Sequence, residues 1–181
     1  QMFGGHGYIA EWGMEQYVRD ARINMIYEGT NTIQSLDLLG RKILMDNGAK
    51  LRKFGEKIKT FVEENGTDEA LSEFITPLGD LGDKVTKMTM EIGMKAFTNP
   101  DEVGAAAVPY LRVVGHLVYS YFFAQMAKIA LAKEDSGDNF YKAKLGTARF
   151  YFARLYPETA MLIRQARSGS ANLMALDADL F

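Results

Sequence analysis

The residues best placed to perform chemistry lie in the stretch 26–30, which reads I-Y-E-G-T. This stretch falls between two segments with helical apolar spacing, so we predict that it breaks the helices. Glu28 would then stand on a non-helical joint, just ahead of Thr30, a typical N-cap for the following helix. Backbone N–H groups at a helix start can polarise a carbonyl oxygen, and a nearby carboxylate can remove the adjacent proton. Glu28 is therefore a candidate catalytic base; the alternative is that it only interacts with its own helix terminus.

A second candidate is the glycine-rich segment 1–13, Q-M-F-G-G-H-G-Y-I-A-E-W-G, which holds four of the 17 glycines. This density of glycine is typical of an irregular backbone that can approach a ligand closely. Residues 5–10 also match the dinucleotide fingerprint G-x-G-x-x-A. That fingerprint needs a preceding strand and a βαβ unit, and no strand alternation follows. We therefore do not predict a Rossmann-type site.

Other chemistries find less support in the residue types. The chain has no cysteine, and its two histidines, His6 and His116, are far apart in sequence. Neither belongs to a metal-binding pattern such as H-E-x-x-H, so we predict no metal site. Arg19 and Arg22 could pair with Asp20 or with a cofactor phosphate, but we interpret them as a solvated or ion-paired helix face.

Charge and hydropathy exclude two classes of partner. The net charge is −2, the pI is near 5.8, and the basic residues are dispersed, so we predict no nucleic-acid binding. The most apolar run, residues 113–132, contains His116, Gln125 and Lys128, and we predict a buried bundle helix rather than a membrane span. No signal peptide or initiator Met is visible, so we expect a piece of a longer protein.

The elements that position these residues are predicted from apolar side chains at three- and four-residue steps. We expect a break or kink at Pro77 and a kink or division at Pro109. The segment that begins at Asn99-Pro100 is apolar on most sides and should be the central helix. The predicted helices cover residues 14–25, 30–45, 51–64, 69–97, 99–133, 138–155 and 157–168.

Long amphipathic helices joined by short loops pack as antiparallel neighbours. The predicted fold is therefore all-α, a four-helix-type up-and-down bundle with additional helices. We place a domain boundary near residue 46, so that residues 1–46 carry the Y-E-G-T motif and residues 47–181 form a helical extension packed on them.

Three blocks of sequence resemble the C-terminal end of acyl-CoA dehydrogenases, in the same order and at the same spacing. They are Q-M-F-G-G-H-G-Y at residues 1–8, R-D-A-R-I at 19–23 and I-Y-E-G-T-N-T-I-Q at 26–34. The later helices resemble the C-terminal extension of a bacterial subgroup that includes 3-(methylthio)propionyl-CoA dehydrogenases. L-Y-P-E-T-A at residues 155–160 and M-A-L-D at 174–177 carry this second resemblance.

The resemblance implies a role for each matching residue. Glu28 would be the base that removes the α-proton of an acyl-CoA thioester, while the β-hydride passes to N5 of FAD. Gly29 would line the acyl-CoA site. Thr32 stands where the family often has Gln. The resemblance implies flavin contacts for Gln1, Met2, Phe3, Gly4, Gly5, Thr30, Asn31 and Thr32.

The resemblance also implies partners: an acyl-CoA substrate, electron-transfer flavoprotein or a similar acceptor, and a homodimer or dimer of dimers that shares FAD sites between subunits. It implies a cytoplasmic bacterial enzyme. Since the family's other domains supply much of the flavin and CoA binding, we expect this chain alone to be inactive and to bind FAD weakly or not at all. Two alternatives are a non-catalytic helical-bundle assembly module and a DNA-associated relative with a role in the alkylation response.

Overall fold

The computed structural model describes residues 1–27 and 29–180, without the side chain of Ile26. The chain divides into two compact units, Gln1–Gln34 and Ser35–Phe181. All regular structure in the described residues is helical, which confirms the predicted all-α class. The predicted domain boundary at residues 46–47 stays a prediction.

Eight α-helices account for most of the described residues. The π-helical segment Asp37–Leu44 continues α3, and a second one, Tyr151–Leu155, continues α7. Short 3₁₀ helices are Gly4–Tyr8, Ala10–Trp12, Glu69–Leu71, Glu134–Ser136 and Ala178–Leu180. The α-helices are α1 (Met14–Arg22), α2 (Asn24–Tyr27), α3 (Asn31–Leu36), α4 (Ala49–Asn65), α5 (Ser72–Thr98), α6 (Asp101–Leu131), α7 (Asn139–Phe150) and α8 (Glu158–Arg167).

The first unit differs from the sequence prediction at the end of its long helix. Residues 14–25 were expected to form one helix, but a turn at Ile23 ends α1 and a four-residue α2 follows. The predicted break at residues 26–29 is therefore wrong at residues 26 and 27, which are still helical. No described side chain of this unit is buried, and Tyr17 and Tyr27 are exposed. The unit consequently lacks a hydrophobic core of its own.

The second unit is built around α6. This helix packs against α5, α7 and α8, while α4 packs against α5. The core is one apolar cluster between these helices. Its buried members include Tyr110, Val113 and Leu117 of α6 and Phe74, Leu78, Leu81 and Met88 of α5. Thus α6 occupies the central position that its apolar composition predicted. The bundle is held mainly by removal of this apolar surface from water.

Neither proline divides its helix. Of the break or kink expected at Pro77 and the kink or division expected at Pro109, the break and the division are therefore wrong, and the kinks stay predictions. Proline removes one backbone donor from a helix. In α5 the apolar face is buried on both sides of Pro77, at Phe74, Ile75 and Leu78, and this packing holds the helix together. The carbonyl oxygen of Pro77 also accepts a hydrogen bond from the Tyr156 hydroxyl at 2.8 Å.

Helix starts follow the local signals in the sequence. The side chain of Asn99 accepts a hydrogen bond from the backbone N–H of Asp101 at 3.2 Å. Asp101 is the first residue of α6, so the helix begins one residue after Pro100. Asp138 accepts from the N–H of Phe140 at 2.8 Å and caps α7. Each cap satisfies a backbone donor that the first turn leaves unpaired.

In the part of the chain that the structure describes, no helix is long and apolar enough to cross a membrane.

Candidate functional site

The described part of the candidate site is a sharp joint between α2 and α3. Gly29 has φ of +71°, in the left-handed region that favours glycine. Thr30 follows, and its Oγ1 lies 3.5 Å from the backbone nitrogen of Ile33, at the limit of a capping hydrogen bond. The carbonyl of Thr30 accepts from the N–H of Gln34 at 3.1 Å. The predicted capping position of Thr30 is thus confirmed.

Glu28, the candidate base, lies outside the described residues, so its role stays a prediction. Its neighbours on both sides are described. Gly29 is half-buried, and a Cβ added there would lie 3.5 Å from Nε2 of Gln34, in ordinary van der Waals contact. The left-handed φ is therefore the main local requirement for glycine at this position.

The predicted flavin-contacting residues are exposed. In the segment 1–5 the N–H of Gly4 donates to the carbonyl of Gln1 at 3.0 Å, and Gly4 has φ of +56°. A Cβ added at Gly4 or Gly5 would meet nothing within 4 Å. Thr30, Asn31 and Thr32 are exposed as well. These two segments present backbone N–H, hydroxyl and amide groups, which suit the carbonyl and hydroxyl groups of a flavin nucleotide.

A polar network in the second unit is a feature that the sequence did not reveal. Nδ1 of His116 lies 3.0 Å from the Tyr151 hydroxyl, and Nε2 lies 3.3 Å from Oε2 of Glu158. Arg112 binds the other carboxylate oxygen of Glu158, and the Ser120 hydroxyl lies 3.4 Å from that of Tyr151. The Tyr151 hydroxyl donates to the backbone carbonyl of His116 at 3.0 Å, so its oxygen accepts from Nδ1–H of His116.

The surroundings of His116 and Tyr151 shift the pKa values of both side chains. Burial lowers the pKa of His116, and the Arg112 guanidinium lowers it further. Burial raises the pKa of Tyr151. The network joins α6 to the π-helical segment and to α8, and we interpret it as a structural tie between these helices.

No signal in the sequence could have identified the network. His116 and Tyr151 are 35 residues apart and belong to different helices. Tyr151 begins the π-helical segment, in which the backbone hydrogen bonds span five residues rather than four. Only the packing of the helices brings the two rings together.

Among the described residues, no group of three or more His, Asp or Glu side chains is placed to hold a metal ion.

Two protein-family models match the chain. "Acetyl-CoA dehydrogenase C-terminal like" matches residues 54–177, which is more than half of the chain. "Acyl-CoA dehydrogenase, C-terminal domain" matches residues 1–44, the part that contains the I-Y-E-G-T stretch.

Several curated proteins are similar in sequence to this chain over the same residues. The broad-specificity linear acyl-CoA dehydrogenase of Mycobacterium tuberculosis is 30% identical over 193 aligned positions, which cover 100% of this chain and 31% of the relative. The 3-methylmercaptopropionyl-CoA dehydrogenase of Ruegeria pomeroyi is 34% identical over 161 positions, covering 87% of this chain and 27% of the relative. A butyryl-CoA dehydrogenase of Syntrophomonas wolfei is 28% identical over 176 positions, again covering 87% and 27%.

The chain therefore spans between 27% and 31% of the length of these relatives. The matches confirm both resemblances seen in the sequence, to the dehydrogenase C-terminal domain and to the subgroup with a helical extension. This protein chain belongs to the acyl-CoA dehydrogenase family, in which it corresponds to the C-terminal domains.

Proposed function

We propose that this chain is the C-terminal portion of an FAD-dependent acyl-CoA dehydrogenase, in which Glu28 removes the α-proton of an acyl-CoA thioester. The observation that carries the proposal is the joint at residues 29–30. Gly29 turns the backbone at φ +71°, and α3 starts directly afterwards behind Thr30. Position 28 directly precedes this turn in the sequence.

The chemistry requires more than a carboxylate. A thioester α-C–H is a weak acid and a carboxylate is a weak base, so the transfer needs a dry site and stabilisation of the charge that develops on the thioester oxygen. We assign that stabilisation in part to the backbone N–H of Glu28. A bound FAD would supply the acceptor for the hydride that leaves the β-carbon.

The flavin would be held in this chain by two exposed segments. Gln1–Gly5 and Thr30–Thr32 offer backbone, hydroxyl and amide groups without charged side chains, so they suit the neutral polar groups of the cofactor rather than its phosphates. Gly29 would line the acyl-CoA site.

The wider setting of the enzyme is also a proposal. The chain would act within a cytoplasmic bacterial enzyme that is a homodimer or dimer of dimers, with electron-transfer flavoprotein or a similar protein as electron acceptor. Three of the relatives are bacterial, which supports a bacterial enzyme.

The test compares the wild-type full-length parent with its Glu28→Gln variant, by anaerobic flavin reduction with a panel of acyl-CoAs. Loss of the base should slow reduction by about 10²–10⁴-fold while acyl-CoA binding persists. Glu64→Gln, at an exposed carboxylate on α4, is the matched control and should leave the rate unchanged. Equal rates in Glu28→Gln and wild type would refute the assignment of the base. A parent that reduces no flavin with any acyl-CoA would favour the assembly module or the DNA-associated relative.

A further inference from the structure

One polar side chain reaches back over the joint between α2 and α3. A Cβ built on Gly29 would lie 3.5 Å from Nε2 of Gln34 and 3.9 Å from Cγ2 of Ile33. Both neighbours belong to α3, and Gln34 lies in the same compact unit as Gly29. The amide of Gln34 is thus a polar group placed directly at the turn that follows the candidate base.

The start of α3 explains where this amide lies. The N–H of Gln34 donates to the carbonyl of Thr30 at 3.1 Å, which sets Gln34 one helical turn after the cap. Helical side chains lean towards the N-terminus of their helix, so a long side chain at position 34 covers the turn that contains Thr30 and Gly29. The Thr30 hydroxyl is directed at its own helix start, with Oγ1 3.5 Å from the nitrogen of Ile33.

The amide has the chemistry needed to contact a carboxylate. Nε2 of a glutamine donates two hydrogen bonds and carries no charge. Consecutive Cα atoms are about 3.8 Å apart, so a glutamate side chain at position 28 is long enough to reach an amide beside Gly29. Ile33, the other side chain at this point, has no donor.

We propose that Gln34 is a positioning residue that donates a hydrogen bond from Nε2 to the carboxylate of Glu28 and keeps this base ionised. The inference rests on the proposed function, in which Glu28 removes the α-proton. A carboxylate in a dry site is harder to ionise, and a hydrogen bond to its charged form offsets this effect. A neutral donor does so without the strong attraction of an arginine or lysine, which would weaken the base.

No charged side chain competes for this role at the joint. In the described part of the chain, no charged atom lies within 4 Å of the Cβ position at Gly29. Arg22 and Tyr27, the nearest ionisable residues before position 28, are exposed. Asp37, the next acid along the chain, pairs with Arg41 at 3.3 Å. The neutral amide is therefore the group that sets the ionisation of the base.

The first test is the pH dependence of anaerobic flavin reduction in the full-length parent, for wild type and Gln34→Met. Methionine keeps the length of the side chain and removes the donor. Loss of the hydrogen bond should raise the pKa of the base, so the acid limb of the rate profile should move up by about one pH unit. Below both midpoints Gln34→Met should reduce flavin about tenfold more slowly, and at alkaline pH the two rates should converge.

Two further variants sharpen this test. Gln34→Glu places a second carboxylate beside the first, which should shift the acid limb further than methionine does. Gln165 is exposed on α8, and the matched control Gln165→Met should keep the wild-type profile. An unshifted limb in Gln34→Met, or an equal loss of rate at every pH, would overturn the proposal.

The second test measures the ionisation of the carboxylate without catalysis. The 181-residue chain is isotope-labelled at the side-chain carboxyl carbon of glutamate, and the Glu28 resonance is identified by its loss in Glu28→Gln. NMR titration should give Glu28 a higher pKa in Gln34→Met than in wild type, and the same pKa in Gln165→Met as in wild type. Equal pKa values in wild type and Gln34→Met would overturn the proposal.

The outcomes separate this proposal from the proposed function. A slow Glu28→Gln variant together with an unshifted Gln34→Met profile would leave the base in place and exclude the hydrogen bond. A Glu28→Gln variant as fast as wild type would exclude the base itself, and this proposal with it. At acid pH, Gln34→Met should add no further loss of rate to Glu28→Gln, because the amide acts only through this carboxylate. Additive losses in the double variant would overturn the proposal.

Discussion

The hydroxyl of Tyr110 lies 2.6 Å from Oγ1 of Thr89, and Tyr110 is fully buried at the centre of the bundle. Oγ1 of Thr89 also lies 2.7 Å from the carbonyl oxygen of Val85, which can only accept. Thr89 therefore donates to Val85, and Tyr110 donates to Thr89. Burial raises the pKa of Tyr110 to about 12, so the phenol stays protonated at neutral pH.

Because Tyr110 donates to Thr89, removal of the Thr89 hydroxyl and removal of the Tyr110 hydroxyl should change the free energy of unfolding by different amounts. Thr89→Val leaves the buried Tyr110 hydroxyl without a partner, which should lower the free energy of unfolding by about 1–3 kcal/mol. Tyr110→Phe removes the buried hydroxyl itself and should cost only about 0.5–1.5 kcal/mol. Urea unfolding of both single variants and of the double variant measures the difference. A larger loss in Tyr110→Phe than in Thr89→Val would contradict the assigned direction.

The lowered pKa of His116 predicts a pH-dependent stability. Since the folded-state pKa lies below the unfolded value, the unfolded chain binds more protons as the pH falls through about 6.5. The free energy of unfolding should therefore decrease as the pH is lowered from 7 towards 5. His116→Gln removes this titration, so its stability should depend less on pH over the same interval. Denaturant titrations of wild type and His116→Gln at matched pH values test this prediction. The same dependence of the unfolding free energy on pH in both proteins would contradict it.

The link between Glu102 and Ser170 predicts an acid-sensitive contact. The backbone N–H and the hydroxyl of Ser170 donate to Oε1 of Glu102 at 3.0 and 2.7 Å, and these bonds lower the pKa of Glu102. Its stabilising contribution is present above the unfolded-state pKa and is lost as the pH falls towards the lower folded-state value. Glu102→Gln should lower the melting temperature at pH 7. At acid pH the melting temperatures of the variant and of wild type should lie closer together. A difference that stays constant with pH would exclude the ionised carboxylate as the cause.

Gly169 precedes Ser170, and a side chain at this position should clash with Glu102. Gly137 provides the matched control. Gly169 and Gly137 share φ of +80°, so alanine at either position should cost about 1–2 kcal/mol of backbone strain. A Cβ at Gly169 would in addition lie 3.2 Å from Oε2 of Glu102, while a Cβ at Gly137 meets nothing within 4 Å. Gly169→Ala should therefore destabilise the chain more than Gly137→Ala in thermal unfolding. Equal losses would show that Glu102 moves aside freely.

The isolated chain should fold without retaining flavin. The proposed flavin contacts at Gln1–Gly5 and Thr30–Thr32 are exposed, and the chain spans only 27% to 31% of its relatives. We expect helical circular dichroism and cooperative unfolding, but no stoichiometric flavin absorbance and no dehydrogenase activity after incubation with FAD. Purification of the chain as a yellow, stoichiometric flavoprotein would contradict this expectation.

Much of the fold could be predicted because its signals are local. The capping hydrogen bonds of Asn99 and Asp138 join residues only two positions apart, so residue type alone identifies these helix starts. The break expected at Pro77 failed for the opposite reason. The local cost of proline was correctly recognised, but burial of Phe74 and Leu78 against other helices outweighs it.

Part of the candidate functional site could likewise be predicted from local sequence, whereas the polar network could not. The motif at residues 26–30 and the resemblance that it carries are properties of contiguous sequence, and the Thr30 cap follows from them. The network of His116, Tyr151 and Glu158 has no local signature, because its members come from three helical segments.

By itself, the sequence determined the helical class, the main helix starts and the family, since apolar periodicity, capping residues and motif spacing are all encoded locally. The tertiary structure decided which side of each helix is buried. Residues on α6 are apolar on most sides, so periodicity could not distinguish its buried face from the face that exposes Val108, Phe122 and Ile129. Only the placement of α5, α7 and α8 around α6 separates the two, because burial depends on contacts between residues that are distant in sequence.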